Sequence, residues 1–134
     1  MNIAIISDDE KKELLVQFCT AYSGILGKHN LCATAKTAKH VAEGAGLRVM
    51  PLMAGDQGGV EQISALVSCD QIDLLLYFRG TAGSEKIDGA EHNLMRLCDM
   101  HTVPMATNIA TAEVLIHGLA NGWLDWRDIV NPKK

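Results

Sequence analysis

Hydrophobic positions along the chain alternate between short continuous runs and helical spacings. Ile3-Ala4-Ile5-Ile6 is short, unbroken and rich in β-branched residues, which predicts a buried strand. It runs into Ser7-Asp8-Asp9, residue types that cap helices. Leu14, Leu15, Phe18, Cys19, Tyr22 and Ile25 then recur at helical spacing, and Gly24 and Gly27 are expected to end that helix. Leu31-Cys32-Ala33 predicts a second strand, Thr34-Ala35-Lys36-Thr37 a polar loop, and Ala38–Gly44 a helix. A third strand is expected over Arg48–Met53, followed by the Gly-rich stretch Ala54-Gly55-Asp56-Gln57-Gly58-Gly59 and a helix over Val60–Ser68. Ile72–Phe78 is the clearest central strand. Arg79–Gly89 is polar, holds Gly80, Gly83 and Gly89, and is long for a connection, which marks a functional or a mobile segment. The chain continues with a helix over Glu91–His101 (Leu94, Met95, Leu97 and Cys98 inward), a strand over Val103–Ala106 and a helix over Ala112–Leu119. Trp123 to Val130 closes it, with a short edge strand expected at Asp128–Val130.

This alternation of strand and helix defines an α/β fold: a parallel sheet with helices on both faces. In open sheets of that kind ligands bind beyond the carboxyl ends of the strands. The segments leaving those ends hold Asp8, Asp9 and Lys12; Thr34, Lys36 and Thr37; Gly55 to Gly59; Arg79; and Thr107 with Asn108. Hydroxyls, amides, glycines and cations gathered in one place suit a phosphate or a carboxylate. The Gly-rich stretch lies between a strand and a helix, where backbone N–H groups and the helix N-terminus favour an anion. Taken singly, each residue also serves as a cap or a turn: Thr37 could cap its helix and Lys12 could sit in solvent.

Composition narrows the choices. A chain of 134 residues is expected to form one domain, residues 1–134, with a real core. The net charge of -4, without a basic run or aromatics interleaved with arginine, argues against nucleic acid and against an anionic membrane surface. Cys19, Cys32, Cys69 and Cys98 form no C-x-x-C pair and each sits in an apolar pattern, so all are expected as buried free thiols. Cys98 and His101 could make half a metal site, but no second half follows, and no metal or cofactor is expected. The first residues lack the basic region and length of a signal peptide, and no apolar run approaches a membrane span. A reduced, cytoplasmic setting fits.

The loop residues and their order resemble those of the methylglyoxal synthase family, from about Ile3 to Val130. Family members follow the first strand with Ala-His-Asp and then a lysine; this chain has Ser7-Asp8-Asp9 and Lys12. Their second loop reads Ala-Thr-Gly-Thr-Thr-Gly, against Ala33-Thr34-Ala35-Lys36-Thr37-Ala38. Their third reads Ser-Gly-Pro-x-Gly-Gly-Asp-Gln-Gln, against Ala54-Gly55-Asp56-Gln57-Gly58-Gly59-Val60-Glu61-Gln62. Arg96-Leu97 and the run from Val103 to Glu113 match closely as well. The resemblance implies a five-stranded parallel sheet of order 3-2-1-4-5 between helix layers, and a homohexamer. It also implies a site for dihydroxyacetone phosphate, in which a carboxylate removes a carbon-bound proton, an enediolate forms and phosphate is expelled without a metal. By resemblance the phosphate falls to Lys12, Thr34, Thr37 and Ala54-Gly55, with Ala35 and Lys36 in the same loop. Asp8, Asp9, Gly58, Gly59 and Arg79 are the expected neighbours of the rest of the substrate.

The chemical half of that pattern is altered. The family's catalytic aspartate falls at Val60, its oxygen-polarising histidine at Ile87, the histidine beside the first strand at Asp8, and two further aspartates at Gly80 and Ala90. A positioned general base contributes ~10²–10⁴ in rate, so weak or absent synthase activity is expected. Glu61 is the nearest substitute carboxylate, although on a helix it points about 100° away from Val60. Two other readings stand beside the synthase: a non-catalytic regulatory module that binds an anionic metabolite, and a lyase or isomerase acting on a different phosphate ester.

Overall fold

The computed structural model describes residues 1–80 and 89–132. Five parallel strands form one sheet in the order β3-β2-β1-β4-β5: β1 Asn2–Ser7, β2 Asn30–Ala33, β3 Met50–Pro51, β4 Leu74–Phe78 and β5 Met105–Ala106. The helices are α1 Lys12–Ala21, α2 Ser23–Leu26, α3 Ala35–Ala45, α4 Gly59–Ser68, α5 Gly89–Met100, α6 Ile109–Ala120 and α7 Trp126–Val130. Short 3₁₀ turns at Asp9–Lys11 and Gly55–Gln57 precede α1 and α4.

Side-chain alternation divides the core in two. Ile3, Ile5, Leu74, Leu76 and Phe78 pack with Leu15, Phe18, Val41, Ile116 and their neighbours, under α1, α3 and α6. Ala4, Ile6, Leu75 and Tyr77 point the other way, against Ile63 and Val67 of α4 and Leu94 and Cys98 of α5. Adjacent residues of a strand face opposite sides of the sheet, so a continuous apolar strand such as Leu74–Phe78 feeds both layers at once. The site depends on this, because it turns Tyr77 toward α5.

Several boundaries differ from the sequence-based expectation, each for a local reason. Only Met50–Pro51 of the expected third strand pairs, against Cys32 and Ala33, because Pro51 has no N–H and the Leu52 N–H gives one last bond to Ala33. The expected polar loop 34–37 is the start of α3, with Thr34 at the N-cap, and that helix ends at Gly46 in the left-handed conformation, φ 69°. The first helix breaks at Tyr22, and Gly24 lies within α2 rather than ending α1. In α5, Leu94 and Cys98 are buried but Met95 and Leu97 are only half-buried. Most of the expected Arg79–Gly89 loop lies outside the described residues.

The expected edge strand at Asp128–Val130 is instead part of helix α7. Arg127 fixes it: its Nε donates to Asp73 Oδ1 at 3.2 Å, its Nη2 to the Ile72 carbonyl at 3.4 Å, and its Nη1 to the Thr102 carbonyl. Asp73 also accepts the Asn2 N–H, at 2.9 Å. The pair is almost fully buried, at 2% and 0% exposed, and ties the chain end to the starts of β1 and β4. A further correction concerns cysteine. Cys19, Cys32 and Cys98 are buried free thiols, but Cys69 is exposed where α4 ends. Burial pushes Cys19 up to about 12 and Cys32 and Cys98 up to about 11.

Two outcomes follow. Arg127→Ala strands the Asp73 carboxylate in the interior and should lower unfolding stability by about 3–5 kcal/mol, read by urea denaturation. A thiol reagent should modify Cys69 rapidly in the native protein and reach the other three only on unfolding. Equal reactivity at all four would contradict the packing.

Candidate functional site

The carboxyl ends of β1, β2 and β3 open into a cleft of about 600 Å³. Its lining includes Asp8, Asp9 and Lys12 after β1, Thr34 to Thr37 after β2, and Ala54, Gly55, Asp56 and Val60 after β3. Tyr77 and Glu91 line it from the β4 side. A larger cavity of about 830 Å³ lies at the opposite end, beside the strand starts Asn2 and Asn30. No strand delivers a helix N-terminus there, so the smaller cleft is the candidate site.

Thr34 and Thr37 are buried, 5% and 1% exposed, and their hydroxyls bond to each other at 3.3 Å. Thr34 caps α3 by backbone position without a side-chain cap bond, so the first turn of that helix presents its N-terminus to the cleft. Lys12 Nζ lies 2.7 Å from Asp9 Oδ1, and Lys36 Nζ lies 3.8 Å from Asp9 Oδ2. The hydrogen bond and charge of Lys12, then the charge of Lys36, hold the exposed Asp9 carboxyl below the usual carboxylate range. Asp9 therefore steadies Lys12 at the cleft mouth and competes with any anion for it.

The Gly-rich turn is shaped by two of its glycines. Gly58 adopts φ 98°, a region side chains rarely enter. Gly59 is buried against the second loop: a Cβ there would lie 2.2 Å from the Met53 carbonyl oxygen and 2.9 Å from both the Ala54 oxygen and Thr34 Cγ2. Neither glycine lines the cleft itself. They set the turn that brings Ala54 and Gly55 beside Thr34, with the Gln57 and Gly59 N–H groups both bonded to the Ala54 carbonyl.

The residues expected as one constellation fall into two neighbouring clefts. Arg79, Thr107 and Asn108 line a separate cavity of about 440 Å³ with Lys11 and Leu14. Asn108 is a cap, its Oδ1 accepting the Thr111 N–H at 3.1 Å. Asp8 reaches across the exits of β1 and β4, its Oδ2 accepting the Gly80 N–H at 2.6 Å. Glu61 is exposed and outside the cleft lining, so the helix turns it away from the position Val60 occupies. Ile87 lies outside the described residues.

Sequence reasoning passed over Glu91. Its Oε1 accepts the Tyr77 hydroxyl at 2.7 Å, and its Oε2 lies 3.4 Å from Arg79 Nη2. Arg79 thus touches the main cleft through Glu91 rather than by lining it. The available signal was strand parity: Tyr77 lies one residue out of phase with Leu76 and Phe78, which turns a polar tip toward the start of α5. Among the described residues, no group of three or more His, Cys, Asp or Glu could hold a metal ion, and no helix is long and apolar enough to cross a membrane.

Fold and cleft together define a three-layer α/β protein whose candidate site lies beyond the carboxyl ends of a five-stranded parallel sheet. The methylglyoxal synthase of Caldicellulosiruptor saccharolyticus is 48% identical over 133 residues, covering 99% of this chain and 94% of that protein. That of Oceanobacillus iheyensis is 42% identical over 134 residues, covering 100% of this chain and 96% of its own. The crystal structure of methylglyoxal synthase from Elizabethkingia anophelis superposes with a TM-score of 0.79 at 34% identity, over 86% of this chain and 76% of that one. No family model matches the sequence. The chain belongs to the methylglyoxal synthase family.

The contact at Gly59 yields a paired test of the loop geometry. Gly59→Ala must push apart the loops after β2 and β3 and should lower stability by about 1–3 kcal/mol. Gly55→Ala meets nothing within 4 Å and should change stability by less than about 0.5 kcal/mol. Thermal unfolding of the two variants separates them, and equal melting temperatures would contradict the packing described.

Proposed function

We propose that the cleft binds a small phosphate ester of the dihydroxyacetone phosphate kind, and that turnover to methylglyoxal is far below that of an intact family enzyme. The observation that carries this reading is the make-up of the cleft wall. Lys12, Thr34, Thr37, Ala54 and Gly55 line one side, with Ala35 and Lys36 beside them, while the position of the family base is filled by the apolar side chain of Val60. The first group supplies a cation, hydroxyls and a helix N-terminus, the donors that suit a phosphate. Val60 has no atom that accepts a proton. The neighbouring acids Asp8, Asp9 and Asp56 make the cleft less cationic than a pure phosphate site, which favours modest affinity.

The full-length similarity to methylglyoxal synthases supports phosphate elimination as the chemistry the fold was shaped for. The apolar Val60 favours a second reading, a metabolite-binding module that signals without turnover. A single domain, a homohexameric assembly, a cytoplasmic setting and independence from metal or cofactor belong to the same proposal by family resemblance.

Titration with phosphate, sulfate and phosphoglycolate tests the binding half. Millimolar or tighter affinity is expected, weakened about tenfold by Lys12→Ala, since a charge-assisted bond is worth about 1.5–3 kcal/mol. No binding at millimolar concentration, or an unchanged affinity in Lys12→Ala, would reduce the retained residues to caps and turns. For the chemical half, a methylglyoxal assay with dihydroxyacetone phosphate should show slow turnover that Val60→Asp raises. Robust turnover lost in Glu61→Gln would make Glu61 the base and overturn the reading.

A further inference from the structure

We propose that Glu91 is the proton acceptor of this cleft, working on the carbon skeleton of a phosphate ester held by Lys12 and the two threonines; the proposal rests on the phosphate-ester reading of the site. Glu91 stands near the N-terminus of α5, its side chain only 18% exposed, and lines the same cleft as Lys12, Thr34 and Val60. Two groups aim it. The Tyr77 hydroxyl rises from β4 to Oε1, and the Arg79 guanidinium flanks Oε2. A carboxylate has two acceptor oxygens, and each is aimed by one of these donors.

The other acids of the cleft are placed for different work. Asp9 is 78% exposed and bound to Lys12, the cation a phosphate needs. Asp8 is drawn onto the Gly80 amide. Asp56 is exposed on the Gly-rich turn, and Glu61 is outside the lining. Glu91 combines partial burial, orientation by neutral and cationic donors, and a place in the cleft on α5 rather than on α1 and α3, which carry Lys12 and Lys36. That is the arrangement a general base requires, with geometry first.

The step balances without a co-reactant. A Glu91 oxygen takes a proton from the carbon beside the carbonyl of an α-hydroxyketone phosphate. The C–H electron pair becomes the C=C bond of an enediolate, and the carbonyl π pair moves onto oxygen. When the hydroxyl oxygen on the deprotonated carbon gives its proton to water and forms the aldehyde C=O, the C=C pair shifts into a new C=C bond toward the phosphate-bearing carbon. The bond from that carbon to the phosphate oxygen breaks, and phosphate leaves with that electron pair. The enol that remains takes a proton on carbon to give the ketoaldehyde.

Exchange of the carbon-bound hydrogens of dihydroxyacetone phosphate in D₂O, followed by proton NMR, reads this step even where elimination is slow. Wild-type protein should exchange them above the buffer rate. Glu91→Gln should slow the enzyme-dependent exchange by about 10²-fold or more, with inorganic phosphate affinity unchanged. Tyr77→Phe, which keeps the carboxylate but loosens its aim, should slow it severalfold. If Glu91→Gln does not fold, Glu91→Asp, which withdraws the carboxylate by one methylene, should slow exchange more than Tyr77→Phe. Exchange at the wild-type rate in a folded Glu91 variant, or no exchange by wild-type protein that binds phosphoglycolate, overturns the proposal and leaves Glu91 a tie between β4 and α5. Failure of wild-type protein to bind phosphoglycolate overturns the phosphate-ester reading itself, and this proposal with it.

Discussion

The close approach at Gly59 is the constraint on which the rest of the cleft depends. The first residue of α4 sits so near the Met53 and Ala54 carbonyls and the Thr34 methyl that no side chain fits. That contact locks the loop after β3 onto the loop after β2, and β2 is in turn paired along its length with β1. Three strand exits are thereby held at fixed spacing, and with them Lys12, Thr34, Thr37 and Gly55. Protein interiors are packed densely enough for such a contact to transmit position. The spacing of these three exits is therefore a property of backbone packing more than of any one polar side chain.

Those chemical groups lie on the other half of the cleft. Val60 enters it from α4, while Tyr77 and Glu91 enter from β4 and α5, and both elements belong to the same face of the sheet. A change of carboxylate from α4 to α5 keeps the acid within one cavity while moving it to a different wall. The proposed phosphate end is built on the loops after β1, β2 and β3. In the proposed reading binding and proton transfer are carried by separate elements, so one can be retained while the other is rearranged.

Most of the fold was legible in the sequence, because short, continuous, β-branched apolar runs such as Ile3–Ile6, alternating with helical spacings, are the pattern of buried parallel strands. The gathering of the loops after β1, β2 and β3 around one cleft was legible too, since they are contiguous stretches at the carboxyl ends of neighbouring strands. What escaped depends on pairs distant in sequence. Arg127 reads as a surface cation until it meets Asp73 inside the molecule, and Asp128–Val130 reads as an edge strand for the same reason. Cys69 reads as part of an apolar helix face, but it follows the last turn of α4 and meets solvent. Glu91 reads as an ordinary helix-start acid, because nothing local shows that Tyr77 and Arg79 converge on it from β4. Sharing one cavity between five strand ends was also too simple: a parallel sheet places β4 and β5 on the far side of β1, and Arg79, Thr107 and Asn108 turn into a second cleft.

The most direct test of the account is a crystal structure of the protein with phosphoglycolate, whose carboxylate stands in for the enediolate end of the substrate. The account places the phosphate on Lys12, Thr34, Thr37 and the Gly55 backbone, with the carboxylate end directed toward Val60 and the Tyr77–Glu91 pair. Phosphate bound instead beside Lys11 and Arg79, or at the strand-start cavity beside Lys28 and Arg48, would contradict it.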